Sequence, residues 1–353
     1  MNIWFTRRTQ PYAVLALASG IIAAFAAIID NYVLHSLIVS PDPLISSLTY
    51  TVAGYWSAIP ITLLCNRFVG HSVNMRITAL TFNKQTQKWA AIAGGVTGIA
   101  TLFGFIGSKL VDPSIALPLA SIYIAYLAIY DVWKLKDWKS RKQGLREIAA
   151  PVALVMLGIA SASAEPMSAG GISMAAILFI VILSQGSTTV AQTAYKRGVD
   201  STDVGTFFFW RLIWSTVIAT ISVIVITALT GHSRMLIAAL ASSFLSLFVW
   251  LPLRMVLLYL SEVSRGRAYQ AGGPTSEVAI LRASQVMLAV PITLLVSNIA
   301  PQAFGYVTSD LLIWGTRFLG AALILVGIIL LYHRRVKCTP QRFSSARQTR
   351  NLK

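Results

Sequence analysis

Charge is scarce in this sequence, and negative charge scarcest. Only 12% of the 353 residues are charged, against about 25% in soluble domains, and 12 acidic residues face 29 basic ones. With 56% hydrophobic residues and a mean hydropathy of +0.69, the chain has too few polar groups to cover a water-exposed surface, which excludes a soluble domain. The formal charge of +17 would suit nucleic acid if it formed one soluble basic face. It lies instead in short segments between apolar runs, so no nucleic-acid partner is expected. The two cysteines, Cys65 and Cys338, have no metal-ligand spacing and imply no disulfide framework. His35, His71, His232 and His333 are scattered, and neither HExxH nor GxSxG occurs. These absences argue against an intramembrane enzyme, a metal or a cofactor. Nor does a small-residue cleavage site close a short apolar core near MNIWFTRRTQ, so that region reads as leading into a first transmembrane span.

What the chain has is apolar runs. Crossing the hydrocarbon core takes about 20 residues of helix. Ten such runs are expected near 12–39, 44–65, 89–110, 114–132, 147–163, 171–195, 204–230, 235–260, 276–298 and 311–332. Basic residues then set direction. Arg7, Arg8, Arg67, Arg76, Lys84, Lys88, the Lys134–Arg146 group, Lys196, Arg197, Arg265, Arg267 and the tail fall on one side, and only Lys109 and Arg234 on the other. The expectation is an all-α integral membrane protein of the cell (inner) membrane, multi-pass, in contact with the lipid bilayer, with both termini cytosolic. The tail, 334–353, has no apolar periodicity and reads as a solvated basic end.

The two halves echo each other. ALPLASIYIAYL (116–127) matches AILRASQVMLAV (279–290), with Ala116-Leu117 on Ala279-Ile280 and Ala120-Ser121 on Ala283-Ser284. ALVMLGI (153–159) matches ALILVGI (322–328), and Tyr55-Trp56-Ser57 faintly matches Phe209-Trp210-Arg211. Aligning Pro118 with Pro291 instead would break the Ala-Ser register. Each echo links a span to the fifth one after it. Five is odd, so the second copy enters from the opposite side: two inverted five-helix repeats, 1–165 and 166–333, an arrangement suited to alternating access about a site near the midplane.

With these features the chain resembles the drug/metabolite transporter superfamily, in particular its EamA-like ten-helix members. The resemblance rests on the 5+5 layout, on TFFFWRLIWS opening the seventh span, on KSRKQGLREIAAPVALVMLGI with Gly158, and on WGTRFLGAALILVGIILLY. It implies a secondary transporter, an exporter.

Charges inside a bilayer cost several kcal/mol unless paired, hydrated or near an end, so they mark candidate sites. Arg211 and Arg282 lie about two turns inside their spans, and Gln285 shares a helix face with Arg282. Glu277 is an alternative, structural partner for Arg282. Arg254 lies similarly inside the eighth span and is either a third vestibule arginine or one that snorkels toward headgroups, and Arg317, near the outer end of the tenth, is read as snorkelling outward. Tyr123, Tyr126 and Tyr130 form one stripe of the fourth span, and Tyr123 sits near mid-span. The fourth and ninth spans are expected to supply facing walls, one aromatic and one polar. Gln185 centres the sixth span. Asp30, in the first, is the candidate for proton coupling, or else a carboxylate at a watery outer mouth. The candidate substrate-binding set is therefore Tyr123, Gln185, Arg211, Arg282 and Gln285. Three arginines at an inner vestibule favour a small polar metabolite, anionic or zwitterionic, such as an amino acid. A flippase for a lipid-linked head group and a non-transporting membrane assembly subunit are the alternatives.

Overall fold

The structure, a computed structural model, describes residues 11–38, 40, 42–68, 83–134, 138–163, 174–300 and 310–350. The N-terminal MNIWFTRRTQ, the segment 69–82 with Arg76, and the segment 164–173 that contains the expected repeat boundary lie outside them. Among the described residues there is no strand. In chain order the helices are α1 Pro11–Leu37, α2 Pro43–Phe68, α3 Lys84–Ser108, α4 Ser114–Trp133, α5 Trp138–Ala162, α6 Met174–Val199, α7 Val204–Thr230, α8 Ser233–Gln270, α9 Thr275–Ile299 and α10 Leu311–Arg350. Among the described residues nine are long and apolar enough to cross a membrane. The exception is α5, whose apolar stretch is the shorter Ile148–Ala162 because its first turns carry Lys142 and Arg146. The protein is an all-α, multi-pass membrane protein.

Scarce acids are used where backbone needs them. Asp42, Asp112, Asp203 and Asp310 accept hydrogen bonds from Leu44, Ser114, Thr206 and Leu312 N–H at the starts of α2, α4, α7 and α10. Asp131, at the end of α4, does the same for Ser276 N–H of α9. Each satisfies a helix-end donor that has no intrahelical partner. Gly231 closes α7 with a φ of 71°, the left-handed conformation glycine adopts freely.

Two helices are broken in mid-span. The first part of α4 stops at Leu119, and the chain passes through Ala120 to Ile122 in tight i→i+3 turns before resuming at Tyr123. The first part of α9 stops at Arg282, with Ala283 as the joint. The joints, Ala120 and Ala283, are the residues paired by the Ala-Ser register and not by the proline register. Gly20 of α1 makes room for the second joint: a Cβ there would lie 2.2 Å from Ser284 Oγ and 2.8 Å from the Arg282 carbonyl oxygen.

Packing pairs α1 with α8 and α3 with α6, α2 with α8 and α7 with α3, α5 with α10, and α4 with α9. The α5–α10 crossing is close, since Gly158 and Gly320 bring their backbones face to face. As numbers rise from Gly320 to Gly327, the partner falls from Ala162 to Pro151, so these helices run antiparallel.

Two helices outrun their expected ends. The eighth span, expected over 235–260, continues to Gln270, because the polar SEVSRGRAYQ places its charges toward protein and not toward water. The tail, expected as an irregular solvated end, continues α10 as helix to Arg350.

Candidate functional site

The extra turns of α8 deliver a buried carboxylate. Glu262, 4% exposed, receives hydrogen bonds from three guanidinium groups. Arg211 Nη1 of α7 is 2.5 Å from Oε2, Arg265 Nη2 meets the same oxygen from one turn along α8, and Arg282 Nη2 of α9 reaches Oε1 at 3.3 Å. Arg265 is 2% exposed. The Tyr195 ring of α6 lies between two of the arginines, 4.9 Å from the Arg211 guanidinium carbon and 4.7 Å from that of Arg265. Its hydroxyl donates to the Glu262 carbonyl oxygen at 3.0 Å. Four helices are thereby tied at one level. Arg211 and Arg282 each lie seven residues into their helices, about 10 Å at 1.5 Å per residue.

A second charged layer lies deeper. Arg254 of α8 engages Asp30 of α1 through both edges of its fork, Nε to Oδ1 at 2.7 Å and Nη2 to Oδ2 at 3.3 Å, and Tyr50 of α2 donates to Oδ1. Arg254 therefore does not snorkel, and Asp30 is no solitary mouth carboxylate: the two are an ion pair between helices. Along α8 the two layers are eight residues, about 12 Å, apart.

Between the layers lies a cavity of about 200 Å³, bounded by Tyr50, Tyr55, Arg254, Arg211 and Glu262. A second cavity of about 260 Å³ adjoins it, sharing Thr97, Thr101, Phe105, Arg211 and Arg254. Its own walls add Asp30, already paired with Arg254, the polar Asn31, Ser184, Gln185, Thr188 and Gln192, and apolar surface that includes Ala120 at the α4 joint. Both compartments thus meet charge, since Arg211 and Arg254 stand in the wall of both, and the second adds amides and hydroxyls. Arg211 also donates from Nη2 to Thr97 Oγ1 at 3.3 Å. A small solute with an ionised head and a polar body fits such a divided space chemically.

Comparison with known proteins reaches the fold and stops there. No family model matches the sequence, and no curated protein matches it. A solved structure described only as "Crystal structure of protein" is similar over 91% of this chain and 96% of its own, with a TM-score of 0.50 and 15% identity. At that identity the likeness concerns the arrangement of helices alone.

Of the residues singled out from sequence, Asp30, Gln185 and Arg211 line the cavities. Arg282 lines neither cavity and stands behind them, bonded to Ser261 and to the wall residue Glu262; its carboxylate partner is Glu262, while Glu277 accepts from Tyr12 at 2.8 Å. Tyr123 restarts α4 after its joint and is buried in the main apolar core. Gln285 is half-buried on α9 and lines neither cavity. The walls therefore differ from the expected aromatic and polar pair: α4 contributes Ala116, Leu117 and Ala120, α9 contributes nothing, and α2, α3, α6, α7 and α8 supply most of the surface. Arg317 is likewise inside, 0% exposed, 3.3 Å from Asp112 and bonded to Ser114. Glu262 and Arg265 were absent from the sequence candidates because they fall beyond the hydropathy minimum that ends the eighth run. Their i, i+3 spacing and the need of Arg211 and Arg282 for a counter-charge are the signals that point to them.

Proposed function

We propose that the chain is a secondary transporter of a small polar metabolite, anionic or zwitterionic, working by alternating access, with export as its direction. The observation that carries this reading is the polar cavity held between two buried ion-pair layers inside otherwise apolar helices. A membrane protein that keeps four arginines and two carboxylates around enclosed space bears a large desolvation cost, and passage of a charged solute is the use that explains it. Arg211 and Arg254 are assigned to the solute's charged head, Gln185 to its body, and Arg282 to positioning Glu262. Asp30 keeps its assignment to coupling in a changed form. Protonating it would strand the Arg254 guanidinium, so coupling here requires the pair to separate.

The architecture proposed with it is ten spans in two inverted repeats, 1–165 and 166–333, of the EamA-like drug/metabolite transporter type, in the cell inner membrane with cytosolic termini. Two features support it. Exchanging each helix for the one five places away turns the pairing of α1 with α8 into α6 with α3 and that of α2 with α8 into α7 with α3, and returns α5–α10 and α4–α9 to themselves. The broad α1–α9 contact has only a smaller counterpart in α4–α6. The α4 and α9 joints also fall on echoed residues.

The test is uptake into proteoliposomes across amino acids, organic acids, phosphate esters, nucleosides and cationic dyes, with and without a proton gradient. At least one anionic or zwitterionic solute is expected to move, and Arg211→Gln to reduce its rate at least about tenfold, since a charge-assisted hydrogen bond contributes about 1.5–3 kcal/mol. If nothing moves while a partner protein stays bound through purification, an assembly subunit replaces this reading.

A further inference from the structure

The Glu262 layer is out of electrical balance. Arg211, Arg265 and Arg282 bring three positive charges to one carboxylate. The other acids whose side chains the structure describes do not join it: Asp200 is exposed at the end of α6, and the rest are engaged elsewhere. Asp30 holds Arg254, Asp112 holds Arg317, Glu277 accepts from Tyr12, and Asp42, Asp131, Asp203 and Asp310 cap helices. Arginine does not give up its proton in proteins, so two positive charges in the buried layer stand without a counter-charge among the described residues. Geometry agrees with the count. The Nε atoms of Arg211, Arg265 and Arg282 and the Ser284 hydroxyl are buried with no hydrogen-bond partner. An uncompensated buried charge is costly to keep, and this layer keeps two.

On the transport reading above, on which this step rests, we infer that the solute is a small dianion, a dicarboxylate or a phosphate monoester, whose two charges complete the Glu262 layer. Arg211 is the contact residue. It alone of the three lines the cavities, and its fork already offers Nη1 to a carboxylate and Nη2 to the Thr97 hydroxyl. Arg265 and Arg282 lie behind it and act through the charge they add. A zwitterionic amino acid brings no net charge and leaves the excess at two; a monocarboxylate leaves it at one. Asn31, Gln185 and Gln192 then face the solute's hydroxyl or carbonyl groups.

The count is tested by changing it. Succinate, glycerol 3-phosphate, lactate and glycine are titrated against the full chain in lipid nanodiscs, followed by thermal stabilisation, and the same four are offered for uptake into proteoliposomes. The two dianions are expected to bind at least about tenfold more tightly than lactate or glycine, and whichever dianion displaces the other assigns the head group. Arg282→Gln removes one charge without replacing a residue of the cavity wall, so it should lower the succinate-to-lactate affinity ratio by roughly tenfold, a difference of about 1.4 kcal/mol. Arg265→Gln makes the same change in charge from another helix and replaces it if Arg282→Gln does not fold. A merely structural role for these arginines predicts lower stability with the ratio unchanged, which overturns the inference. Preference for glycine or lactate overturns it too but leaves transport standing. Dianion binding without uptake does the reverse. Failure of either dianion to bind ends the inference outright.

Discussion

One carboxylate, Glu262, holds three arginines in a chain with few acids anywhere. Removing one partner of a buried pair costs about 3–5 kcal/mol, because the other charge is left without compensation. Glu262→Ala is therefore expected to lower the unfolding temperature in detergent by more than any single arginine substitution in the layer. Adding Arg265→Ala to it should recover part of the loss, since the uncompensated charge falls from three to two. If the double variant is no more stable than Glu262→Ala alone, the layer is not governed by charge balance. The residues of this layer were only half legible beforehand. Arg211 and Arg282 stand out because a charge inside an apolar run is conspicuous. Glu262 and Arg265 are camouflaged, because a helix that turns polar near its end looks the same whether it faces water or buried partners. Asp30 and Arg254 were each visible, yet their pairing spans 224 positions, and no local pattern encodes a contact of that range.

At the scale of helices, small residues decide where backbones meet. A Cβ on Gly320 would stand 2.4 Å from the Gly158 carbonyl oxygen and 2.5 Å from Ala162 N, both backbone atoms that cannot swing aside. Gly320→Leu should therefore force α5 and α10 apart and cost about 1–3 kcal/mol or more, as overpacking does. Gly315, on the exposed face of the same helix, has open space around its Cβ position, so Gly315→Ala should be neutral or slightly stabilising through helix propensity. Thermal unfolding of the two variants side by side checks the crossing, and equal behaviour would remove it. Apolar runs made the helices themselves readable, because length and hydropathy are local quantities. The joints in α4 and α9 were not readable: ALPLAS and AILRAS carry no glycine, and Pro118 precedes only one of the breaks. What marked them was their recurrence, a property of the pair and of neither helix alone.

For the whole molecule the inverted repeat depends on an odd count of five, and so on α5, whose apolar stretch is the shortest, crossing the membrane. Packing gives a sharp expectation. Arg197 Nη2, near the end of α6, lies 3.4 Å from the Tyr130 hydroxyl, near the end of α4. Those two helix ends are therefore on the same face of the protein. Since α6 is long enough to span, the chain returns to that face only if α5 spans as well. Cysteine accessibility decides this in intact cells, after Cys65 and Cys338 are replaced by serine. Lys134→Cys follows α4 and Asp200→Cys follows α6; both should resist a membrane-impermeant maleimide until the cells are opened. Ser233→Cys and Ala300→Cys, which follow α7 and α9, should react at once. A nine-span chain would split the first pair, making residues 134 and 200 react from opposite faces. The two halves would then enter the membrane in the same sense, the pairing of α1 with α8 and α6 with α3 would lose its symmetry relation, and alternating access about the Arg211–Glu262 layer would lose its structural basis. Two residues labelled from the same side thus carry the topology, and with it the mechanism proposed for the cavity.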